Sequence, residues 1–321
     1  MSAVSFLTPV QEQVKLVEER MRAQADECHP DLRAALEHLL AAGGKRVRPT
    51  LGLLVGNMLG AEEWRLVMLG AAVELLHTAT LVHDDLIDGA LLRRGIPTLN
   101  ARWSPPATVL TGDFLFARAA KLAAETDYLP LMKAFSETLA IIVNGELTQM
   151  FSSRGLIERD NYYRRIYAKT ASLFEMTARA AAMISPVDEE KIEAMRDFGY
   201  QIGMAFQVVD DILDFNGDQA AVGKPIGSDL LNGLVTLPAI YYAEAHPEDP
   251  DVQSLPGGGW TNAENMARLI ENIRQSGAVE RSMLEASQFV ERALARLEPL
   301  HPGVEREALE NLARYIIDRR L

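Results

Sequence analysis

Two clusters of aspartates stand out because each lies inside an apolar segment. The first is HDDLID, with Asp84, Asp85 and Asp88, and the second is VVDDILD, with Asp210, Asp211 and Asp214. Residues four apart on a helix share one face at about 5–6 Å, where two carboxylates repel each other. A cation relieves this repulsion, and Mg²⁺ binds through a few carboxylates together with substrate phosphates. The clusters therefore predict a magnesium site for a phosphorylated substrate.

The two clusters repeat one pattern. The stripe His77, Leu81, Asp84, Asp88 has the same spacing as the stripe Gly203, Gln207, Asp210, Asp214. One such cluster alone is interpreted equally well as a solvated acidic turn near a helix end. Two copies in apolar helices instead favour acidic faces that oppose each other across a cavity.

Basic residues that would match a phosphorylated substrate occur at four places. They are Lys45 and Arg48 in AAGGKRVRPT, Arg93 and Arg94 in LLRRG, Lys169 in YAKTASLF, and Lys224 in VGKPIGSDL. Gly43 and Gly44 allow a tight turn before a helix, and a helix N-terminus favours an anion. Arginine suits bidentate phosphate contacts. Taken singly, Lys45 and Arg48 are better interpreted as a basic helix start on the surface, and Lys224 as an ordinary loop lysine. The position of Arg93 and Arg94 one turn beyond an aspartate cluster favours phosphate contacts, and together the cations predict a diphosphate site.

Helices must position these groups, because strand signals are almost absent. Apolar residues recur at helical spacing nearly throughout the chain. The segment around residues 65–92 is apolar almost all round, which is typical of a central helix in a bundle. Residues 246–259 form the longest loop candidate, and two or three amphipathic helices follow from Asn262. We expect an all-α fold, a large helical bundle forming a single domain over residues 1–321.

Composition restricts the class of protein. The chain has 321 residues, of which 48% are apolar, and its formal net charge is −13. This acidity argues against a nucleic-acid partner, because nucleic-acid binding depends largely on phosphate neutralisation. Cys28 is the only cysteine, which fits a reducing compartment. We find no signal-peptide pattern and no uncharged apolar run of about 18 residues, so we expect a cytoplasmic protein without stable membrane insertion.

These motifs together resemble the trans-isoprenyl (polyprenyl) diphosphate synthase family. The resemblance extends from GGKRVRP at residues 43–49 to GSDLLNGLVTLP at residues 227–238. It implies a helical bundle around a deep central cavity, usually a homodimer, that extends an allylic diphosphate with isopentenyl diphosphate. Formal charges balance if about three Mg²⁺ and two diphosphates bind among the six aspartates and the six basic residues named above.

The resemblance also implies a role for each candidate residue. Asp84, Asp88 and Asp210 would bind Mg²⁺, with Asp85, Asp211 and Asp214 in support. Lys45, Arg48, His77 and Arg94 would hold isopentenyl diphosphate, with Phe206 beside its chain. Arg93, Lys169 and Lys224 would grip the allylic diphosphate, and Thr170 and Gln207 would line the developing carbocation. The six aspartates with Lys169, Thr170 and Gln207 form the predicted catalytic set.

Product length is predicted from the residues before the first cluster. In the family, the residues four and five positions before the first aspartate form the floor of the product tunnel; here they are Thr80 and Ala79. Both are small, and Leu76 and Val73, one turn deeper, are moderate in size, so we expect a medium-to-long product. Ala79→Phe should then shorten it. Alternatively, Ala79 and Thr80 only pack the helix, and another element closes the tunnel.

One position departs from the family pattern. Leu234 stands two residues before Thr236, where the family commonly has a lysine. We predict that Leu234→Lys lowers the KM for the allylic substrate by adding a phosphate contact. An unchanged or raised KM would contradict this prediction.

Three alternative functions stay open at this point. The product could be shorter, farnesyl or geranylgeranyl diphosphate. A class I terpene cyclase also uses an aspartate-rich metal site, but it has no need of the second diphosphate pocket that Lys45, Arg48 and Arg94 indicate. A non-catalytic subunit of a heteromeric synthase is the third alternative, although such a subunit could lose its aspartates.

Overall fold

The computed structural model describes residues 6–26, 28–41, 43–93, 95–152, 154–155, 157–216 and 226–319. The contacts of the chain divide it into two compact units. Unit 1 comprises Met1–Thr138, Leu173–Arg196 and Pro299–Asn311, and unit 2 comprises Leu139–Ser172, Asp197–Glu298 and Leu312–Leu321. Each unit is thus assembled from three separate stretches of sequence. The single domain expected over residues 1–321 stays a prediction.

Helices make up most of both units. The α-helices are α1 Gln11–Arg22, α2 Pro30–Ala41, α3 Val47–Leu59, α4 Glu63–Ile87, α5 Pro105–Ala124, α6 Leu129–Phe151, α7 Arg159–Ile166, α8 Ser172–Met183, α9 Glu189–Asn216, α10 Ser228–Leu231, α11 Leu237–Ala245, α12 Pro250–Ser254, α13 Ala263–Gln275, α14 Ala278–Leu297 and α15 Val304–Asp318. A π-helical turn spans Tyr167–Ala171, and 3₁₀ turns span Thr8–Val10, Ala23–Ala25, Leu255–Gly257 and Gly259–Thr261. Within the described ranges the strands are β1 Leu92–Arg93 and β2 Ile96–Pro97, which pair antiparallel. The predicted all-α fold is confirmed.

Helix α4 forms the core of unit 1. It packs against α1, α3 and α5, and apolar side chains are buried on every side of it. Gly70 allows the close approach of α1, because a Cβ there would lie 2.9 Å from Val17 Cγ2. By length and composition, α4 is the one helix in the described parts of the chain that could cross a membrane. However, 72% of its most apolar window is buried in the protein, as expected of a core helix.

Helix α4 ends before the predicted boundary near residue 92. Gly89 has φ +63°, and its N–H donates to the carbonyl oxygen of Leu86 at 3.2 Å. The N–H of Ala90 donates to the carbonyl oxygen of Asp85 at 2.8 Å. This pair of bonds with a left-handed glycine is the Schellman motif that closes helices. The prediction of helix beyond Ile87 is therefore wrong, and Asp88 is the C-cap residue.

A network of tyrosines and ion pairs ties together three helices of unit 2. Tyr163 of α7 and Tyr241 of α11 both donate their hydroxyls to the carboxylate of Glu285 on α14. Arg159 of α7 pairs with Glu244 of α11, with Nη2 2.5 Å from Oε2. These bonds fix the helix α7 that leads directly into the π-helical turn.

The segment after α11 is more regular than the sequence predicts. Helix α12 and a 3₁₀ turn lie inside residues 246–259, so the prediction of an unbroken loop there is wrong. Asp249 caps α12 by accepting the N–H of Asp251 at 2.8 Å, and it also accepts the Tyr242 hydroxyl at 2.6 Å. The amphipathic helices predicted after Asn262 are α13, α14 and α15.

Candidate active site

The first aspartate cluster lies at the C-terminal end of α4, in unit 1. Asp84 is half-buried, Asp85 is 6% exposed, and Asp88 is exposed. The N–H of Asp88 donates to the carbonyl oxygen of Asp84 at 2.8 Å, so both residues lie on the same final turn of helix. A helix C-terminus is itself negative. The carboxylates add to the negative charge at this end of α4, and a bound cation would neutralise it.

Asp85 is bound by an arginine of the following hairpin. Arg93 Nε donates to Asp85 Oδ1 and Oδ2 at 2.9 and 3.1 Å, and Nη2 lies 2.8 Å from Oδ1. This contact holds β1 against the end of α4 and neutralises the buried carboxylate. The contact of Arg93 with an allylic diphosphate stays a prediction. Arg94 lies outside the described residues.

The predicted isopentenyl diphosphate residues of unit 1 lie on three elements. Gly43 has φ +68°, and α3 begins four residues later at Val47, so the glycine-rich turn before a helix is confirmed. Lys45 is exposed, and Arg48 is half-buried with its guanidinium carbon 4.6 Å from the centre of the Phe174 ring. His77 is half-buried on α4.

The second cluster lies near the end of α9, in unit 2. Asp214 accepts the N–H and hydroxyl of Ser228 at 3.1 and 2.7 Å and the N–H of Asp229 at 3.1 Å. It therefore holds the first turn of α10. Asp214 supports the local fold through these bonds.

Asp211 is the buried centre of a hydrogen-bond chain. It is 4% exposed and accepts the Tyr162 hydroxyl and Gln207 Nε2, both at 2.8 Å. Burial, with the nearby charge of Asp229, raises the pKa of Asp211 to about 7 despite these hydrogen bonds. Thr170 Oγ1 donates to Gln207 Oε1 at 2.6 Å. These hydrogen bonds hold both ends of the Gln207 amide, so Asp211 and Thr170 set the orientation of the amide.

Asp210 pairs with an arginine from the end of the chain. Arg319 Nη2 donates to Asp210 Oδ1 at 2.7 Å and to the carbonyl oxygen of Phe206 at 3.1 Å. Its guanidinium carbon lies 3.9 Å from the centre of the Phe206 ring. Arg319 thus contacts two predicted site residues of α9.

Lys169 and Thr170 lie on the π-helical turn Tyr167–Ala171. Such turns are uncommon and occur frequently at functional sites. Lys169 is exposed and its Nζ lies 3.2 Å from Glu146 Oε1 on α6. On the same part of α6, a Cβ on Gly145 would lie 2.5 Å from the Cβ of Ala168. The absence of a side chain at residue 145 therefore lets α6 approach the π-helical turn closely.

The predicted chain-length residues differ in burial. Ala79, Leu76 and Val73 have no exposed surface, whereas Thr80 is half-buried and donates its hydroxyl to the carbonyl oxygen of His77 at 2.7 Å. Thr80 is the member of this group with surface available to a ligand.

A groove of about 420 Å³ in unit 1 lies apart from these residues. It is lined by Leu16, Glu19, Arg20, Ala23, Glu63, Trp64, Val67 and Met68. None of them was predicted as a site residue, and we assign the groove no part in the chemistry.

Sequence reasoning missed the residues that hold the predicted ones in place. Arg319 lies 109 residues from Asp210, and Tyr162 lies 49 residues from Asp211. No local pattern connects such pairs. Glu146 and Gly145 have no motif signal of their own either. Lys224 was predicted but lies outside the described residues.

Comparison with known proteins gives consistent matches over most of the chain. Residues 29–273 match the model of the family described as polyprenyl synthetase. The chain is 39% identical to the all-trans-nonaprenyl-diphosphate synthase (geranyl-diphosphate specific) of Rhodobacter capsulatus, covering 88% of this chain and 87% of the relative. It is 38% identical to heptaprenyl diphosphate synthase component 2 of Geobacillus stearothermophilus, covering 93% of each.

A solved structure is similar over the full chain. The polyprenyl synthase from Caulobacter crescentus CB15, complexed with calcium and isoprenyl diphosphate, superimposes with a TM-score of 0.92 at 34% identity. The match covers 100% of this chain and 98% of that one.

Proposed function

Because the chain belongs to the polyprenyl synthetase family of prenyl-transferring enzymes, we propose that it is a magnesium-dependent synthase. It condenses isopentenyl diphosphate with an allylic diphosphate, head to tail and in trans, and gives a polyprenyl diphosphate of medium-to-long chain. The observation that carries this proposal is the accessible surface of Asp84, Asp88 and Asp210.

Three of the six aspartates support the local fold. Asp85 is bound by Arg93, Asp211 by Tyr162 and Gln207, and Asp214 by the first turn of α10. Asp84 and Asp210 are half-buried and Asp88 is exposed, and Asp210 also accepts a hydrogen bond from Arg319. These are the three that the family resemblance assigns to metal. Their accessible surface supports a role as direct ligands, because a cation can reach each of them.

The donor chemistry fits Mg²⁺ with a bound diphosphate. Among the described residues, no group of three or more His, Cys, Asp or Glu side chains is gathered closely enough to hold a metal. Mg²⁺ usually binds through one or two carboxylates and completes its coordination with water and phosphate oxygens. We propose Asp84, Asp88 and Asp210 as ligands and three ions per active site. When bound, Mg²⁺ supplies charge neutralisation to the leaving diphosphate.

The reaction breaks the allylic carbon–oxygen bond and forms a carbon–carbon bond. The departing diphosphate takes the electron pair, the isopentenyl double bond attacks the allylic cation, and a proton then leaves for the released diphosphate. Gln207 accepts from Thr170 and donates to Asp211, so its carbonyl dipole is fixed before the reaction. A fixed dipole stabilises developing charge without reorganising. We propose that Thr170 and Gln207 stabilise the carbocation in this way.

The basic residues divide between the two substrates. Lys45, Arg48, His77 and Arg94 hold isopentenyl diphosphate beside Phe206, and Arg93, Lys169 and Lys224 hold the allylic diphosphate. In the Lys169–Glu146 ion pair, Lys169 is exposed and Glu146 is half-buried, and ion pairs near the surface contribute about 0–1 kcal/mol. Lys169 can therefore exchange Glu146 for a diphosphate at little cost. The common pocket for the two aspartate clusters stays a prediction from the sequence.

The quaternary structure that we propose is a homodimer. Four apolar side chains of α6 recur at helical spacing and are exposed in unit 2: Val143 44%, Leu147 47%, Met150 57% and Phe151 85%. Adjacent exposed apolar residues mark interaction surfaces. We call this group the α6 stripe. One relative is named as a synthase component, so a different subunit is the alternative partner.

One experiment tests the proposed function and its alternatives. The purified protein alone is incubated with radiolabelled isopentenyl diphosphate, Mg²⁺ and each allylic primer in turn, and the products are identified by mass. We expect a ladder ending beyond geranylgeranyl diphosphate, and no product with EDTA. A geranylgeranyl or shorter end product supports the short-chain alternative. Cyclic hydrocarbon from an allylic diphosphate alone supports a cyclase, and an inactive lone chain supports a non-catalytic subunit.

Cytoplasmic location is part of the proposal and is tested by cell fractionation.

A further inference from the structure

Three cations lie around the start of α3, and Arg46 is the buried one. Lys45 is exposed and Arg48 is half-buried, whereas Arg46 is 9% exposed. Arg46 also has φ 47° and ψ 37°, a left-handed conformation that residues other than glycine seldom adopt. The contacts of its side chain must outweigh this backbone preference, and such conformations cluster at functional sites.

Two carboxylates from two helices bind the Arg46 guanidinium. Nε donates to Glu18 Oε1 on α1 at 2.8 Å, and Nη1 donates to Glu74 Oε1 on α4 at 2.9 Å. Nη2 lies 3.5 Å from the carbonyl oxygen of Leu40 on α2. Burial lowers the pKa of Arg46, but the charges and hydrogen bonds of Glu74 and Glu18 outweigh burial, so its pKa is raised. We call Glu18, Arg46 and Glu74 the Arg46 clamp.

The clamp is too enclosed to bind a substrate phosphate itself. Its guanidinium donors already face protein oxygens, and Glu74 is 5% exposed. Lys45 and Arg48, by contrast, flank Arg46 in sequence and have accessible surface. Because they are one and two residues from an anchored position, their backbone positions depend on the anchor.

We propose that Arg46 is a positioning residue for isopentenyl diphosphate. By joining α1 and α4 through Glu18 and Glu74, it holds the turn in the conformation that presents Lys45 and Arg48 to the diphosphate of this substrate. This inference rests on the proposed function and adds a residue that the motif alone does not assign. A clamp with a structural role alone changes stability, whereas a positioning clamp changes affinity for one of two substrates.

Glu18→Gln is the first variant for testing the clamp. The Glu18 side chain is 29% exposed, so this change weakens the clamp and leaves the buried Arg46–Glu74 pair in place. We expect the Kd for radiolabelled isopentenyl diphosphate, measured by equilibrium dialysis, to rise about tenfold, the effect of one misplaced charged hydrogen bond. Its KM should rise in parallel, while the KM for the allylic substrate stays within about twofold.

Arg46→Gly separates the clamp from the backbone conformation. Glycine adopts the left-handed conformation readily, so this variant keeps the turn accessible and removes the guanidinium. We expect weaker isopentenyl diphosphate binding than in Glu18→Gln. Wild-type affinity in Arg46→Gly would overturn the proposal, because the backbone alone would then position Lys45 and Arg48.

Glu12→Gln is the matched control for Glu18→Gln. Glu12 lies on the same helix, its side chain is 81% exposed, and it pairs with Lys15 at 2.8 Å. The Glu12→Gln variant should leave the KM values for isopentenyl diphosphate and for the allylic substrate unchanged. A lower melting temperature in Glu18→Gln with unchanged isopentenyl diphosphate affinity, or equal rises in both KM values, would overturn the inference. Failure of the wild type to convert isopentenyl diphosphate would instead contradict the proposed function, and the dialysis result would still decide the role of the clamp.

Discussion

At the scale of single residues, neighbouring aspartates of one motif differ in burial and in contacts. Asp84 and Asp85 are adjacent, yet Asp85 is buried against Arg93 and Asp84 is half-buried. A helix turns about 100° per residue, so adjacent side chains meet different surroundings. The motif therefore supplies one carboxylate with accessible surface, which we propose as a metal ligand, and one that fixes the hairpin after α4.

Burial decides which substitution tests product length. Thr80 has accessible surface and Ala79 has none, so a product chain can contact Thr80. We predict that Thr80→Phe shortens the products, as measured by mass analysis. Ala79→Phe forces a ring into a closed site and should destabilise the protein by about 1–3 kcal/mol. An unchanged product ladder in a stable Thr80→Phe enzyme would show that another element closes the tunnel.

Arg319 should weaken the metal affinity of Asp210. Its guanidinium already neutralises Asp210 Oδ1 at 2.7 Å. Removing this charge in Arg319→Gln should increase Mg²⁺ affinity by about two- to tenfold, the size of one screened charge pair. Calorimetric titration of the substrate-free protein measures this directly. Arg314→Gln, at an exposed position five residues earlier, is the control. Weaker metal binding in Arg319→Gln would instead mean that Arg319 helps to assemble the site.

At the scale of elements, the π-helical turn Tyr167–Ala171 places Lys169 and Thr170. It follows α7, which the Tyr163 and Arg159 contacts fix within unit 2. It also packs against α6 at Gly145. A π-helical turn adds a residue to the helix and changes the direction of the side chains within it. The positions of both candidate residues, Lys169 and Thr170, depend on this local geometry.

Gly145→Ala should disturb the π-helical turn. The new Cβ would lie 2.5 Å from the Ala168 Cβ, so the turn must move. Gly→Ala in a helix normally stabilises a protein by about 1 kcal/mol. A loss of stability in this variant would therefore come from the contact with Ala168. We expect kcat to fall about 10- to 100-fold, with little change in the KM for isopentenyl diphosphate.

Gly257→Ala is the matched control for this change. A Cβ on Gly257 meets no atom within 4 Å, so kcat should stay at the wild-type value. A wild-type kcat in Gly145→Ala as well would mean that the turn adapts without moving Lys169 and Thr170.

At the scale of the whole molecule, the α6 stripe is the surface that a second copy of the chain would cover. Its four side chains are adjacent on one helix face and 44% to 85% exposed. Single exposed apolar residues are common, but a contiguous group is costly to hydrate. The stripe therefore favours an oligomer in solution.

Leu147→Arg should convert the proposed homodimer to a monomer. A charge in the middle of the stripe would be buried without a partner on association, which costs several kcal/mol. Size-exclusion chromatography with light scattering measures the mass. Leu284→Arg, at a leucine 61% exposed on α14, is the control and should leave the mass unchanged. A monomeric wild type, or a dimeric Leu147→Arg variant, would contradict the homodimer.

The sequence predicted the helices that carry the candidate residues better than it predicted where those helices end. The aspartate pattern, the glycines before α3 and the apolar character of α4 are local features, and each occurs where the pattern indicated. The end of α4 was missed because apolar residues continue to Leu92, although Leu91 and Leu92 are 62% and 64% exposed. Gly89 was the available signal, since a left-handed glycine ends a helix whatever the hydropathy beyond it.

The sequence by itself determined the all-α fold and which residues are candidates for a diphosphate site, because helical periodicity and charge spacing are properties of short segments. Tertiary structure alone decided which carboxylates are bound within the protein. It paired Asp211 with Tyr162, Asp210 with Arg319, and Arg46 with Glu18 and Glu74. These partners are far apart in sequence. A charge or polar group that becomes buried needs a partner, and the packing of the chain determines which distant residue is that partner.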